Sequence, residues 1–128
     1  MKIHGVGQIS ISVTDVDRAV EFYRDTLGID FLFQVPGTNP MAFFNCAGTR
    51  LYINQPENPE HATGSSVIYF TVDSAHEAAE ELKSKGVQLE SEPHIIHQTE
   101  NFTLWMAFFK DPDGNLMSLM SEEGDLMG

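Results

Sequence analysis

The chain is poor in sulfur chemistry and in positive charge. Cys46 is its single cysteine. An intrachain disulfide and a thiolate zinc site are therefore excluded, and within AFFNC the residue reads as a small hydrophobe. Lys and Arg number 7 against 19 Asp and Glu, a formal net charge of −12 spread along the chain. Such a surface repels phosphate backbones and anionic bilayers, so neither nucleic acid nor a membrane is expected as a partner, while a cationic small molecule would be tolerated or attracted. No apolar run approaches the ~20 residues of a membrane-spanning helix. Met1-Lys2-Ile3-His4 leads into a strand pattern, not a signal-peptide core, so a cytoplasmic location is the expectation. Also missing are a Gly-x-Ser-x-Gly elbow and a phosphate-cradling glycine loop, and no residue is assigned a catalytic role.

What is present suits one globular domain: 128 residues, 41% of them hydrophobic, enough for a proper core. In GQISISV, Ile9, Ile11 and Val13 share one face of a strand, while Gln8, Ser10 and Ser12 share the other. TDVDRAVEFYRDTLG follows as a helix capped by Thr14 or Asp15, with Val16, Ala19, Val20, Tyr23 and Leu27 at helical spacing and Gly28 as its stop. Strands are expected over Ile29 to Val35, Met41 to Cys46 and Arg50 to Asn54, separated by the turn Pro36 to Pro40 and the tight turn Ala47-Gly48. QPENPEHATGS then reads as a linker.

A second set follows in the same order. Val67 to Val72 alternates; DSAHEAAEELKSKG forms a helix with Ser74 as cap, Glu77 placed for a capping box and Gly86 as stop. Val87 to Leu89 and His94 to His97 read as short strands, Phe102 to Phe109 and Leu116 to Met120 as clear ones around the turn Asp111-Pro112-Asp113-Gly114. The halves repeat: Ile9, Ile11 and Val13 map onto Ile68, Phe70 and Val72 with one offset (68 − 9 and 72 − 13 both give 59). The expected fold is α+β: a single domain over 1–128 made of two βαβββ modules, 1–56 and 65–122, joined by linker 57–64. Helices on the outside leave a cup-shaped mixed sheet with a free inner face, where small-molecule sites preferentially lie.

ISVTDVDRAVEFYRDTLGI, FTVD and FFKDPDGNLMSLM together resemble the vicinal-oxygen-chelate superfamily, which includes glyoxalase I, extradiol dioxygenases, methylmalonyl-CoA epimerase, fosfomycin-resistance enzymes and bleomycin-resistance proteins. The resemblance covers nearly the whole chain. It implies the paired-module cup and assembly as a homodimer. It also implies that a divalent metal, where one is held, takes a side chain from the first and last strand of each module. Those positions carry over to Gln8, one residue of Arg50 to Asn54 taken as Tyr52, Val67 and Ser118.

The donor types at these positions are an amide, a phenol, an aliphatic chain and a hydroxyl, whereas such a metal favours carboxylate and imidazole. Moving one residue along does not help, since Met117 and Leu119 flank Ser118, and Ser66 and Ile68 flank Val67. No metal site and no cofactor are expected. His94 and His97 would point to opposite faces of a strand, His61 falls in the linker, and His76 falls on the exposed face of the second helix. The remaining reading is a cup lined by Gln8, Ser10, Tyr52, Val67, Tyr69, Ser118 and Met120. Trp105 and some of Phe43, Phe44 and Phe109 stand near its mouth. Aromatic walls suit flat or cationic ligands, and neutral polar groups orient them. The expected function is metal-free binding of an organic small molecule, aromatic or cationic, as in the bleomycin-resistance branch. The alternatives are a metal-dependent lyase, isomerase or dioxygenase-like enzyme of the same superfamily, and an interaction module with a closed cup.

Overall fold

The computed structural model describes residues 1–2, 4–55 and 67–124; the linker expected over 57–64, His61 included, lies outside the described residues. The chain divides into two units, Met1–Ser65 and Ser66–Gly128, and each contains one βαβββ module.

In the first unit, strand β1 (Gln8–Ser12) leads into helix α1 (Val16–Glu21). Asp15 sits in an extended conformation and its carboxylate accepts the backbone N–H of Arg18 at 3.1 Å, which satisfies one orphan donor of the first turn. The helix continues as a π-helical turn over Phe22–Thr26, closed by the Leu27 N–H on the Phe22 carbonyl. The adjacent residues Phe22 and Tyr23 are both buried in this turn, as Ala19 and Val20 are in the α-helical part before it. Tyr23 is fully buried 6.0 Å from Phe44, and Phe31 packs edge-on to Phe44 at 5.4 Å. Strands β2 (Asp30–Val35), β3 (Met41–Cys46) and β4 (Thr49–Asn54) complete a sheet of order β1-β4-β3-β2, with β1 and β4 parallel. Ile11, Ala42, Phe44, Leu51 and Ile53 are buried on the face that meets α1.

The second unit repeats this order as β5 (Ile68–Thr71), α2 (Ala75–Ser84), β6 (Leu89–Thr99), β7 (Phe102–Lys110) and β8 (Leu116–Gly124), in a sheet of order β5-β8-β7-β6 with β5 and β8 parallel. The Ser74 hydroxyl caps α2 by accepting the Glu77 N–H at 3.2 Å. Ala75, Ala79 and Leu82 bury the helix face, while Ala107, Phe109, Met117 and Leu119 are buried on the sheet; the Ala75 N–H donates to the buried Ser121 hydroxyl at 3.0 Å.

One expectation is revised here. Val87 to Leu89 and His94 to His97 are not two short strands: Leu89–Thr99 is one strand with three irregularities in its pairing to β7. Pro93 lies within one of them. It lacks a ladder donor, and β6 tolerates it because it is an edge strand. Beyond the turn at Asp111, the hairpin is held by side-chain acceptors. The Asp111 carboxylate is 4% exposed and accepts the N–H groups of Asp113 (2.9 Å) and Asn115 (2.8 Å) and the Asn115 amide (2.8 Å).

Candidate functional site

Each sheet has one face covered by its own helix and an opposite, open face. In the first sheet the parallel register pairs Gln8 with Arg50, Ser10 with Tyr52 and Ser12 with Asn54, while Ile9 pairs with Leu51 and Ile11 with Ile53. Since Leu51 and Ile53 are buried on the helix side, alternation puts Gln8, Ser10, Arg50, Tyr52 and Asn54 on the open one. Antiparallel pairing adds Met41, Phe43 and Asn45 from β3, and Phe33 and Val35 from β2.

This face sorts into an aromatic row flanked by polar pairs. Phe33 and Phe43 hold their rings 4.7 Å apart, and Phe43 and Tyr52 stack at 5.2 Å with an interplanar angle of 16°. The next position in the row, on edge strand β1, is Ser10, too small to continue the stack. On one side of it the Arg50 guanidinium donates from Nε to the Gln8 amide oxygen at 2.7 Å; on the other the Asn54 amide donates to the Ser10 hydroxyl at 2.7 Å.

The open face of the second sheet reverses this pattern. Strand pairing aligns Tyr69 with Ser118 and Phe108 with Ser118, so a small residue lies on the inner strand with a ring on each side. Tyr69 and Phe108 meet edge to face at 6.3 Å. Ser118 is 0% exposed, and its hydroxyl donates to the Ala107 and Leu119 carbonyls, both at 3.2 Å. Met120, opposite Thr71 and Met106, is half-buried on the same face; Val67 precedes β5 and is half-buried.

Gln8, Ser10 and Tyr52 thus share one face of the first sheet, and Tyr69, Ser118 and Met120 one face of the second. The repeat supports the register of Tyr52: it stands opposite Ser10 as Ser118 stands opposite Tyr69, and Ser10 and Tyr69 are 59 apart (69 − 10). Trp105 does not join the second group. It pairs with Ser121, which caps toward α2, so it belongs to the helix side; its ring meets that of His76 at 4.6 Å, and its ring N–H is buried without a partner among the described residues. His76, expected on the exposed face of α2, is exposed there and has the Trp105 ring as a neighbour. Phe44 and Phe109 are fully buried, also on the helix sides, and only Phe43 of that group reaches an open face.

The histidine pair is corrected as well. His94 pairs with Met106 and His97 with Leu104, because the strand shifts register between Ile95 and His97. The extra residue brings both side chains to one face instead of two. Among the described residues no group of three or more His, Cys, Asp or Glu converges in a way that could hold a metal ion. Cys46 is half-buried, and burial pushes its thiol up, away from the reactive thiolate.

Arg50, Asn54 and Phe33 are the site residues that sequence reasoning passed over. Parity would have found Arg50 and Asn54, which share the parity of Tyr52, once β1 was known to run parallel to β4. Two hollows, of about 410 and about 230 Å³, lie at the first turns of α2 and α1 and carry acidic side chains, among them Asp73 and Glu77, and Asp15 and Asp17. Acids there are expected from helix capping and the helix dipole.

The model of the Glyoxalase/Bleomycin resistance protein/Dioxygenase superfamily matches residues 5–119, and the chain belongs to that superfamily. It is similar to the uncharacterized protein YraH of Bacillus subtilis (strain 168), 26% identical over 88% of this chain and 94% of the relative. A shorter match, 38% identical over 44% of this chain, is to metallothiol transferase FosB of Staphylococcus haemolyticus, of which it spans only 38%. Among solved structures, TnmS3, an antibiotic binding protein from Streptomyces sp. CB03234, superposes with a TM-score of 0.72 at 27% identity, covering 94% of this chain and 98% of that one. None of the described helices is long and apolar enough to cross a membrane.

The superfamily's metal positions do not suit a divalent ion in this chain. Gln8 offers its amide oxygen to a guanidinium 2.7 Å away, whose positive charge opposes a cation at the same spot. The Tyr52 ring is held in the aromatic row. Val67 has no donor atom, and Ser118 offers only a neutral hydroxyl that is 0% exposed and carries no negative charge.

Proposed function

We propose that this protein binds an organic small molecule without a metal, on the open face of its first sheet, and holds it without chemical turnover. The observation that carries the reading is the interruption of the aromatic row at Ser10. One face of the Tyr52 ring is stacked on Phe43 and the other looks toward a serine on an edge strand. A flat ligand placed over Ser10 would extend the stack by one ring, with the Gln8–Arg50 and Ser10–Asn54 pairs beside it to fix its orientation. The similarity to an antibiotic binding protein supports a binding role. The second sheet offers less, because Ser118 is already covered.

The test is a calorimetric titration of a naphthalene-sized aromatic into the protein before and after exhaustive treatment with chelator. Binding should be equal in both and weaken about tenfold or more in Tyr52→Ala, in line with ~1–1.5 kcal/mol for an aromatic contact beyond its buried area. Binding that disappears with chelator, or that ignores Tyr52→Ala, would count against the proposal.

A further inference from the structure

The net charge of −12 suggests a preference for cations, yet the charge nearest the Tyr52 ring on its own face is positive. Resting on the proposal above, we infer that the first sheet selects flat aromatic ligands carrying an anionic oxygen group, such as an aryl carboxylate, and that Arg50 is the residue that selects them.

Three features support this. First, Arg50 forms no ion pair among the described residues: its side-chain hydrogen bond is from Nε to Gln8, leaving both Nη amino groups available as donors. Second, Gln8 holds the guanidinium by its inner edge, so the fork that matches a carboxylate is pre-positioned and less side-chain entropy is lost on binding. Third, Arg50 and Tyr52 are separated by one residue on β4 and share a face, which sets them about 7 Å apart along the strand. A naphthoate oxygen lies about 4 Å from the centre of its ring, and one hydrogen-bond length of about 2.9 Å beyond it reaches a guanidinium at about that span. The acid on this face in the same row is Asp30, paired with Asn45, which in turn pairs with Arg50; two strand spacings, about 10 Å, separate it from Arg50. A cationic ligand stacked on Tyr52 would instead meet the guanidinium directly.

Three probes of one size separate the possibilities: 1-naphthoate, 1-naphthalenemethanol and 1-naphthylmethylammonium, titrated at 0.15 M salt, where the Debye length of about 8 Å removes most of the long-range pull of the acidic surface. The native protein should bind naphthoate at least about tenfold more tightly than the alcohol, and the ammonium least of all. In Arg50→Gln, which retains an amide beside Gln8, the preference for naphthoate over the alcohol should fall to about one; Arg50→Lys should retain only part of it. Unchanged thermal melts check that the variants fold. Equal binding of acid and alcohol, tighter binding of the ammonium, or a preference that survives Arg50→Gln would overturn the role of Arg50 while leaving aromatic binding standing. Failure of all three probes to bind native protein would overturn both proposals.

Discussion

The two sheets share one strand order and one parallel pair, yet their open faces are finished in opposite ways. In the first, the large residue is on the inner strand (Tyr52) and the small one on the edge (Ser10); in the second, the large residue is on the edge (Tyr69) and the small one inside (Ser118). The swap decides what each face can do. A ring on the edge strand and another at Phe108 flank the inner serine, which is fully buried with its hydroxyl satisfied by backbone. A serine on the edge strand leaves the end of an aromatic stack uncovered. Two copies of one module thus supply one filled face and one face suited to a guest, without any change in topology.

Exchanging these residues should break the comparison most severely. Ser118→Tyr puts a ring into a fully buried position and should cost about 3 kcal/mol or more in urea unfolding, the upper range for overpacking. The matching change on the exposed edge, Ser10→Tyr, should alter stability by no more than about 0.5 kcal/mol while abolishing naphthalene binding. Near-equal destabilisation by the two would show that the faces do not differ as described.

The turns between β3 and β4 and between β7 and β8 sharpen the contrast. Asp111 accepts three hydrogen bonds while almost fully buried, so Asp111→Ala should cost about 2–3 kcal/mol. In the first sheet the turn between β3 and β4 has no such acceptor cluster; it relies on positive φ at Ala47 (49°) and Gly48 (100°), with the Gly48 N–H on the Asn45 side chain. Alanine is strained there, and Ala47→Asn should stabilise by about 0.5–1 kcal/mol, read as a higher midpoint in the same titration.

The smallest effect concerns how each helix is tied to its sheet. Asp17 meets the Gln34 amide in the first unit, whereas Lys83 pairs with Glu92 at 2.6 Å in the second. Hydrogen bonding to Glu92 raises the Lys83 pKa above its ordinary value of 10.5. A raised folded-state pKa contributes stability below the unfolded value that is lost as pH rises through the folded one. Lys83→Met should therefore lower Tm slightly at pH 7, and native and variant Tm should converge above about pH 10.5.

Much of the fold was readable because two periods and an offset agree. Alternation in Gly7 to Val13 marked β1, a cap at Thr14 or Asp15 and one at Ser74 marked both helices, and the 59-residue repeat required that the halves share a topology. Strand β6 was not readable as one element, since Pro93 and the pairing shifts interrupt the two-residue period on which such a reading depends. The first site was half legible. Gln8, Ser10 and Tyr52 follow from parity, but the pairing of Gln8 with Arg50 depends on a parallel register between strands 42 residues apart (50 − 8). Trp105 was misplaced for a related reason. Aromatic character alone does not say which face of β7 a residue occupies; its pairing with Ser121 does.

The central claim is that a guanidinium, not a metal ion, stands beside the face proposed to take a ligand. Elemental analysis of protein purified without chelator tests it most directly. The account predicts divalent metal far below one equivalent per chain, unchanged in Gln8→Ala. One equivalent of bound metal that is lost in Gln8→Ala would contradict it.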